Sequence, residues 1–258
     1  MDLDIAGLRV LVTAGAGGIG LEIARAFVRE GAKVHVCDVD RSALDAMPAS
    51  DPGVTCSYGD VADRSDVAAV FDDALAALGG LDVLVNNAGI AGPTGRVEEI
   101  NPEDWDRCLD ICITGQFNCT RLAIPHLKAS RNASIINLSS AAGRFGFPLR
   151  TPYAAAKWAV IGFTKSLSRE LGEFGIRVNA VLPGIVSGDR QRRVLEAKAQ
   201  QQGISYAEME VRAFANASIK EYVTPQQLAD QIVFLCSPRG RTISGQAISV
   251  DSDLQMLA

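Results

Sequence analysis

Tyr153 and Lys157 stand four residues apart in Tyr153-Ala154-Ala155-Ala156-Lys157, a spacing that puts both on one face of a helix. An ammonium held beside a phenol stabilises the phenolate, so a tyrosine placed this way can exchange a proton at neutral pH. Thr151-Pro152 reads as an N-cap followed by proline at the first helical position, which supplies the helix that the spacing needs. Just upstream, Asn137-Leu138-Ser139-Ser140 ends a strand-like run and brings the Ser140 hydroxyl within reach of a substrate oxygen. A tyrosine and a lysine four apart also occur on ordinary amphipathic helices, so the chemistry depends on what surrounds them.

A second cluster reads as a nucleotide site. Thr13-Ala14-Gly15-Ala16-Gly17-Gly18-Ile19-Gly20 follows a β-branched run and leads into a helix beginning near Leu21. Glycines there permit a tight turn and bring backbone N–H groups toward a pyrophosphate at the positive end of the helix. The next strand-like run ends at Asp38, whose carboxylate can accept both hydroxyls of an adenosine ribose and repels a 2′-phosphate. With no Arg or Lys in the glycine loop or directly after Asp38, NAD is predicted over NADP. Gly59-Asp60-Val61 sets another carboxylate where an adenine amino group can donate to it. In Asn86-Asn87-Ala88-Gly89, small residues leave room for a cofactor and the amides can tie strands together.

These residues need a scaffold that gathers strand ends on one edge. Short β-branched runs at 9–13, 33–37, 54–58, 83–85, 134–138, 177–181 and 247–250 alternate with amphipathic stretches, among them 63–78 and the segments after Pro102, Pro152 and Pro225. A weaker helix falls near 42–47. The pattern predicts a single doubly wound, Rossmann-like α/β domain with a mostly parallel seven-stranded sheet and helices on both faces. Residues 184–223 hold two short helical patterns where a few loop residues would suffice, which predicts a binding loop or lid.

Composition narrows the function. A net charge of -5 and a sequence pI near 5.1 give no basic stripe for a phosphate backbone, so no nucleic-acid partner is expected. The acidic start and the glycines that interrupt the first apolar run argue against a signal peptide or membrane span, and a soluble, cytoplasmic protein is expected. Cysteines 37, 56, 108, 112, 119 and 236 form no CxxC pair and read as reduced thiols. Cys108 and Cys112 are four apart, but His35 and His126, the only histidines, complete no ligand set, so no metal is predicted.

Taken together, residues 8–250 resemble the short-chain dehydrogenase/reductase family. Thr13 to Gly20 matches its glycine motif, Asp60 its adenine-contacting Asp, Asn86 to Gly89 its Asn-Asn-Ala-Gly motif, and Pro183-Gly184 its Pro-Gly after the sixth strand. Ser140, Tyr153 and Lys157 match its catalytic set. The resemblance implies hydride transfer between a nicotinamide and a secondary alcohol or ketone, with Tyr153 as general acid or base. Ser140 is then the residue that positions the substrate oxygen, and Lys157 holds the nicotinamide ribose. It further implies cofactor contacts from Gly15, Gly17, Ile19, Asp38, Asp60, Val61, Asn87, Ala88, Tyr153, Lys157 and Val186, and a homotetramer built on the helices from Pro102 and Pro152.

The chain departs from the family pattern in places. Cys112 occupies the position of a customary Asn, and a thiol is a poor substitute for an amide, which predicts a weakened proton relay. An NAD-binding regulatory protein of low turnover is therefore the alternative reading. Ala14 replaces the first motif glycine and is expected to be tolerated if its backbone keeps φ below zero; Gly188 stands where a Thr often holds the carboxamide, with Ser187 as substitute donor; Ser252 replaces a usual Gly. An enoyl-thioester reductase is disfavoured because that relative spaces Tyr and Lys more widely. Arg144, Arg150, Arg190, Arg192 and Arg193 near the expected pocket suggest an acidic substrate group, against the commoner role of arginine on a solvated face.

Overall fold

A computed structural model describes residues 2–257. Seven strands form one sheet in the order β3-β2-β1-β4-β5-β6-β7: β1 (Arg9–Thr13), β2 (Lys33–Asp38), β3 (Val54–Tyr58), β4 (Val83–Asn86), β5 (Ser134–Leu138), β6 (Arg177–Pro183) and β7 (Ala247–Val250). Every adjacent pair is parallel. β1 and β4 are adjacent although two strands intervene in sequence, with Val10 opposite both Val34 and Val83. The winding reverses at this point, which opens a crevice at the carboxyl edge.

Both faces of the central strands are covered, which explains their unbroken apolar character. On one face Ile23 and Phe27 of α1 (Gly18–Arg29) and Leu228 and Ile232 of α9 (Pro225–Cys236) pack with Val12, Val85 and Ile136, alongside Leu44 and Met47 of α2 (Arg41–Ser50). On the other, Phe71 of α3 (Arg64–Leu78), Leu127 of α5 (Gly115–Leu127) and Leu167 of α6 (Thr151–Leu171) pack with Leu11, Leu84 and Ile135. Burying a side chain the size of Phe27 contributes about 2–3 kcal/mol.

Several boundaries differ from the sequence reading. α1 begins at Gly18 rather than near Leu21, because the Leu21 N–H already reaches the Gly17 carbonyl at 3.1 Å. Thr151 is the first residue of α6 rather than its cap. The cap is Arg150, whose carbonyl accepts from Ala154 N–H at 2.9 Å. The helix from Pro102 is α4 (Pro102–Leu109) and α5 joined by a π turn over Asp110–Thr114, with Cys112 inside it. π turns of this kind inside helices are frequent at functional sites. The 184–223 segment carries α7 (Asp189–Gln202) and α8 (Tyr206–Phe214), and it is tied back by the Val186–Val223 bridge. Among the described residues no helix is long and apolar enough to cross a membrane.

Candidate active site

Lys157 is buried on α6, and its Nζ donates to the Leu138 carbonyl at the end of β5 at 2.8 Å. The same carbonyl accepts from Gln116 Nε2 at 3.2 Å, so α5 and α6 are both pinned to that strand end. The ammonium lies 5.6 Å from the centre of the Tyr153 ring, one helical turn away, and Tyr153 itself is half-buried. Of the two serines, Ser139 is buried and spends its hydroxyl on the Lys157 carbonyl at 2.7 Å. Ser140 stays half-buried at the strand end, its Oγ accepting from Ala142 N–H at 3.1 Å. The Ser140 O–H is spent on no acceptor among these bonds, and it follows by two residues the Leu138 carbonyl that holds the Lys157 ammonium.

Beneath this trio a buried amide ladder locks the strands. Asn86 Nδ2 donates to Asn137 Oδ1 at 2.9 Å and to Thr120 Oγ1 at 3.0 Å, and Asn137 Nδ2 donates to Thr164 Oγ1 at 2.9 Å. Asn87 joins β4 to the glycine loop, its Nδ2 donating to the Thr13 and Ala14 carbonyls, both at 3.0 Å. Thr13 Oγ1 accepts from the N–H groups of Asn87 and Ala88. The amides at the end of β4 thus tie strands together, as their sequence suggested.

The glycine turn fits a dinucleotide. A side chain at Gly17 or Gly18 would meet nothing within 4 Å, and no side chain caps α1, so the turn is open at the start of the helix, where N–H groups are available to an anion. Gly20 is required for a different reason: a Cβ there would lie 2.1 Å from the Ala14 carbonyl oxygen. Ala14 does not meet the condition of a negative φ: its φ is +51, because the turn needs a left-handed residue where the family has glycine. Ser252 shares this with φ +59, the geometry its usual Gly would supply.

Asp38 ends β2 with its carboxylate on three backbone N–H groups, from Ala16 at 3.1 Å, Val39 at 2.8 Å and Asp40 at 3.1 Å. Asp60 is shared: Oδ1 accepts from Ala62 N–H, and Oδ2 pairs with Arg107 at 2.7 Å, a partner that sequence reading missed because it lies on α4. Val61 is buried, and its carbonyl accepts from Asn118 Nδ2 at 3.0 Å. Gly15 packs against Val36, Ile19 in the first turn of α1 leans on the core, and Val186 sits half-buried past the end of β6. Asp38 ends β2 and Asp60 follows β3 by two residues, so both stand at the carboxyl ends of neighbouring strands.

Cys112 is fully buried and its thiol donates to the Ile90 carbonyl at 3.6 Å. A Cβ at Gly89 would lie 3.6 Å from that sulfur and 3.4 Å from Lys157 Nζ, so thiol and ammonium flank the same glycine. His35 lies away from the site, bridging Thr55 and Ser57 of β3 at 2.9 and 3.0 Å; burial pulls its pKa down to about 4. Among the described residues no group of three or more His, Cys, Asp or Glu is placed to hold a metal.

Comparison with known proteins agrees with this geometry. Residues 14–253 match the family model described as Enoyl-(Acyl carrier protein) reductase. The chain is 33% identical to 2-(S)-hydroxypropyl-CoM dehydrogenase 3 of Xanthobacter autotrophicus, with 95% of each chain covered. It is 35% identical to the 3-oxoacyl-acyl-carrier-protein reductase FabG of Thermotoga maritima, covering 95% of this chain and 96% of that one. Among solved structures, an actinorhodin polyketide ketoreductase variant with NADPH superposes with a TM-score of 0.89 at 32% identity, covering 94% of this chain and 95% of that one. The chain belongs to the short-chain dehydrogenase/reductase family.

Proposed function

We propose that this chain interconverts a secondary alcohol and a ketone with NAD as hydride carrier. The observation that carries the reading is the buried Lys157 ammonium, held on the Leu138 carbonyl at the end of β5 and 5.6 Å from the Tyr153 ring centre, with Ser140 two residues beyond that carbonyl in the chain. A bound nicotinamide supplies or accepts the hydride. In oxidation, the Tyr153 oxygen takes the proton of the substrate hydroxyl, and in reduction it returns one. Ser140 donates to the same substrate oxygen and fixes its position. Lys157 sets a positive charge near the phenol and keeps N–H groups for the nicotinamide ribose. Gly15, Gly17, Ile19, Asp60, Val61, Asn87, Ala88 and Val186 are the further cofactor contacts in this reading.

Asp38 supports NAD, because its carboxylate is a hydrogen-bond acceptor for ribose hydroxyls and repels a 2′-phosphate. The relative solved with NADPH favours the opposite preference. On this chain Arg41, three residues after Asp38, is a cation able to serve a 2′-phosphate; it is stacked on the Tyr58 ring at 3.6 Å, where Tyr58 is the β3 partner of Asp38. The test is oxidation of NADH and of NADPH by purified protein against a panel of ketones, with the reverse reaction on the alcohols. Turnover with NADH well above NADPH supports the reading; turnover confined to NADPH overturns the cofactor assignment and leaves the reaction.

A second reading, a cofactor-binding regulator of low turnover, rests on Cys112 beside Lys157. It requires Cys112→Asn to raise kcat; an unchanged or lower rate removes it.

A further inference from the structure

Five arginines near the expected pocket divide in the structure. Arg192 is exposed and pairs with Glu196 at 2.9 Å, and Arg144 turns to Ser249 and the Leu254 carbonyl. Arg150, Arg190 and Arg193 instead line one cavity of about 330 Å³, together with Gly89, Ile90 and Thr94. No Asp or Glu lines it among the described residues. In a chain with 30 acidic residues against 25 basic ones, three arginines around a carboxylate-free cavity are not a by-product of composition.

Arg150 is the informative member. It is only 2% exposed, and no ion pair among the described residues includes it. One N–H donates to the Ala91 carbonyl, and the guanidinium sits 5.3 Å from the Phe147 and Tyr153 ring centres. Its Nε is buried and makes no hydrogen bond. A buried guanidinium with an idle N–H is costly unless something meets it. Arg190 adds a second positive charge to the same cavity and reaches the Gly89 carbonyl at 3.0 Å. The backbone just before Arg150 is strained as well: Leu149 holds φ +64, a left-handed conformation that a branched side chain rarely adopts. Strain of this kind persists where surrounding structure requires it, commonly at ligand clamps.

We propose that Arg150, flanked by Arg190 and Arg193, binds an oxyanion on the substrate, so that the ketone or alcohol turned over carries a carboxylate, sulfonate or phosphate close to its reacting carbon. The inference rests on the reaction assigned to Tyr153 and adds the chemistry of the substrate's other end. A planar guanidinium fork matches such an anion with paired N–H donors. Its distance from Tyr153 means that the anion sits a few bonds from the carbonyl, in a compact substrate, with no long carrier arm between them.

The experiment compares acetoacetate with methyl acetoacetate, and acetonylphosphonate with its dimethyl ester, as substrates of the wild-type protein, Arg150→Gln and Arg190→Gln. Arg190 is exposed, so its variant keeps the test alive if Arg150→Gln does not fold. The wild type is expected to prefer an anionic member of a pair, with kcat/KM for it falling about 10- to 100-fold in Arg150→Gln while the ester changes little. Carboxylate and tetrahedral phosphonate are separated by which acid shows the larger fall. A fall equal for acid and ester, or a wild type that prefers the esters, overturns the proposal. Calorimetric titration of succinate and of methylphosphonate into NADH-loaded protein reads the anion site without turnover. Binding lost in Arg150→Gln supports the anion site even if no ketone is reduced, an outcome that would sink the reaction assignment instead; no binding of either anion to the wild type overturns the anion site.

Discussion

Changing Asp38 to Asn should reverse the cofactor preference by a calculable amount. In the protein the Asp38 carboxylate is already oriented by the N–H groups of Ala16, Val39 and Asp40, so ribose hydroxyls meet a fixed acceptor. A charge-assisted hydrogen bond to it is worth about 1.5–3 kcal/mol. A 2′-phosphate about 5 Å away, at an effective dielectric constant of about 20, is repelled by about 3 kcal/mol per unit charge. Asp38 is half-buried, and solvent screening reduces that to about 2 kcal/mol. Asn keeps an oxygen for Val39 and Asp40 but removes the charge. NADH binding should therefore weaken about tenfold and NADPH binding tighten about 30-fold, a change in ratio of roughly 300-fold. Fluorescence titration of both reduced cofactors at fixed ionic strength measures it. A wild-type protein that binds NADPH more tightly, or a ratio that moves less than about threefold in Asp38→Asn, refutes the reasoning. In the first case Arg41→Ala should abolish the NADPH preference.

Three further predictions follow from particular residues. His35 has a folded pKa near 4 because burial disfavours its charge, below its ordinary value near 6.5, so the unfolded chain binds more protons between those values. Stability is then complete above about pH 6.5 and falls by about 2–3 kcal/mol as pH drops toward 4, a loss that His35→Gln should flatten in denaturant melts at pH 4.5 and 7.5. Ala14→Gly relieves the φ of +51 and should stabilise the fold by about 1 kcal/mol, raising Tm by about 2–4 °C; a lower Tm would mean the turn is not strained. Trp158 on α6 is 53% exposed and Phe117 on α5 is 43% exposed, which supports assembly through these helices. Sedimentation should show Trp158→Glu as smaller than the wild type, and a monomeric wild type contradicts the assembly.

Much of this was readable in the sequence because it is local. The strands announce themselves by β-branched runs, and Asp38, Asp60 and Asn87 lie where each run stops. Tyr153 and Lys157 need only one helix to bring them together. What escaped was set by distance or by backbone sign. Nothing in Thr13-Ala14-Gly15 reveals that Ala14 takes the left-handed conformation, since that depends on the Gly20 helix turn packing against its carbonyl. The Thr151-Pro152 pattern misplaced the helix cap by one residue, because Arg150 contributes the first accepting carbonyl. Arg107 finds Asp60 across 47 residues, and the cavity gathers residues 89–94, 150 and 190–197, contacts that no local pattern encodes. The π turn at Cys112 left no mark in the spacing of its apolar residues.

Tyr153→Phe tests the central claim most directly, because it removes one oxygen and leaves the Phe147 and Lys157 contacts of the ring in place. With a ketone that the wild type reduces, turnover should fall about 10²- to 10⁴-fold while NADH binding stays within about threefold, the signature of a lost proton donor on an intact cofactor site. Turnover retained within tenfold would show that the proton comes from elsewhere and contradict the assignment.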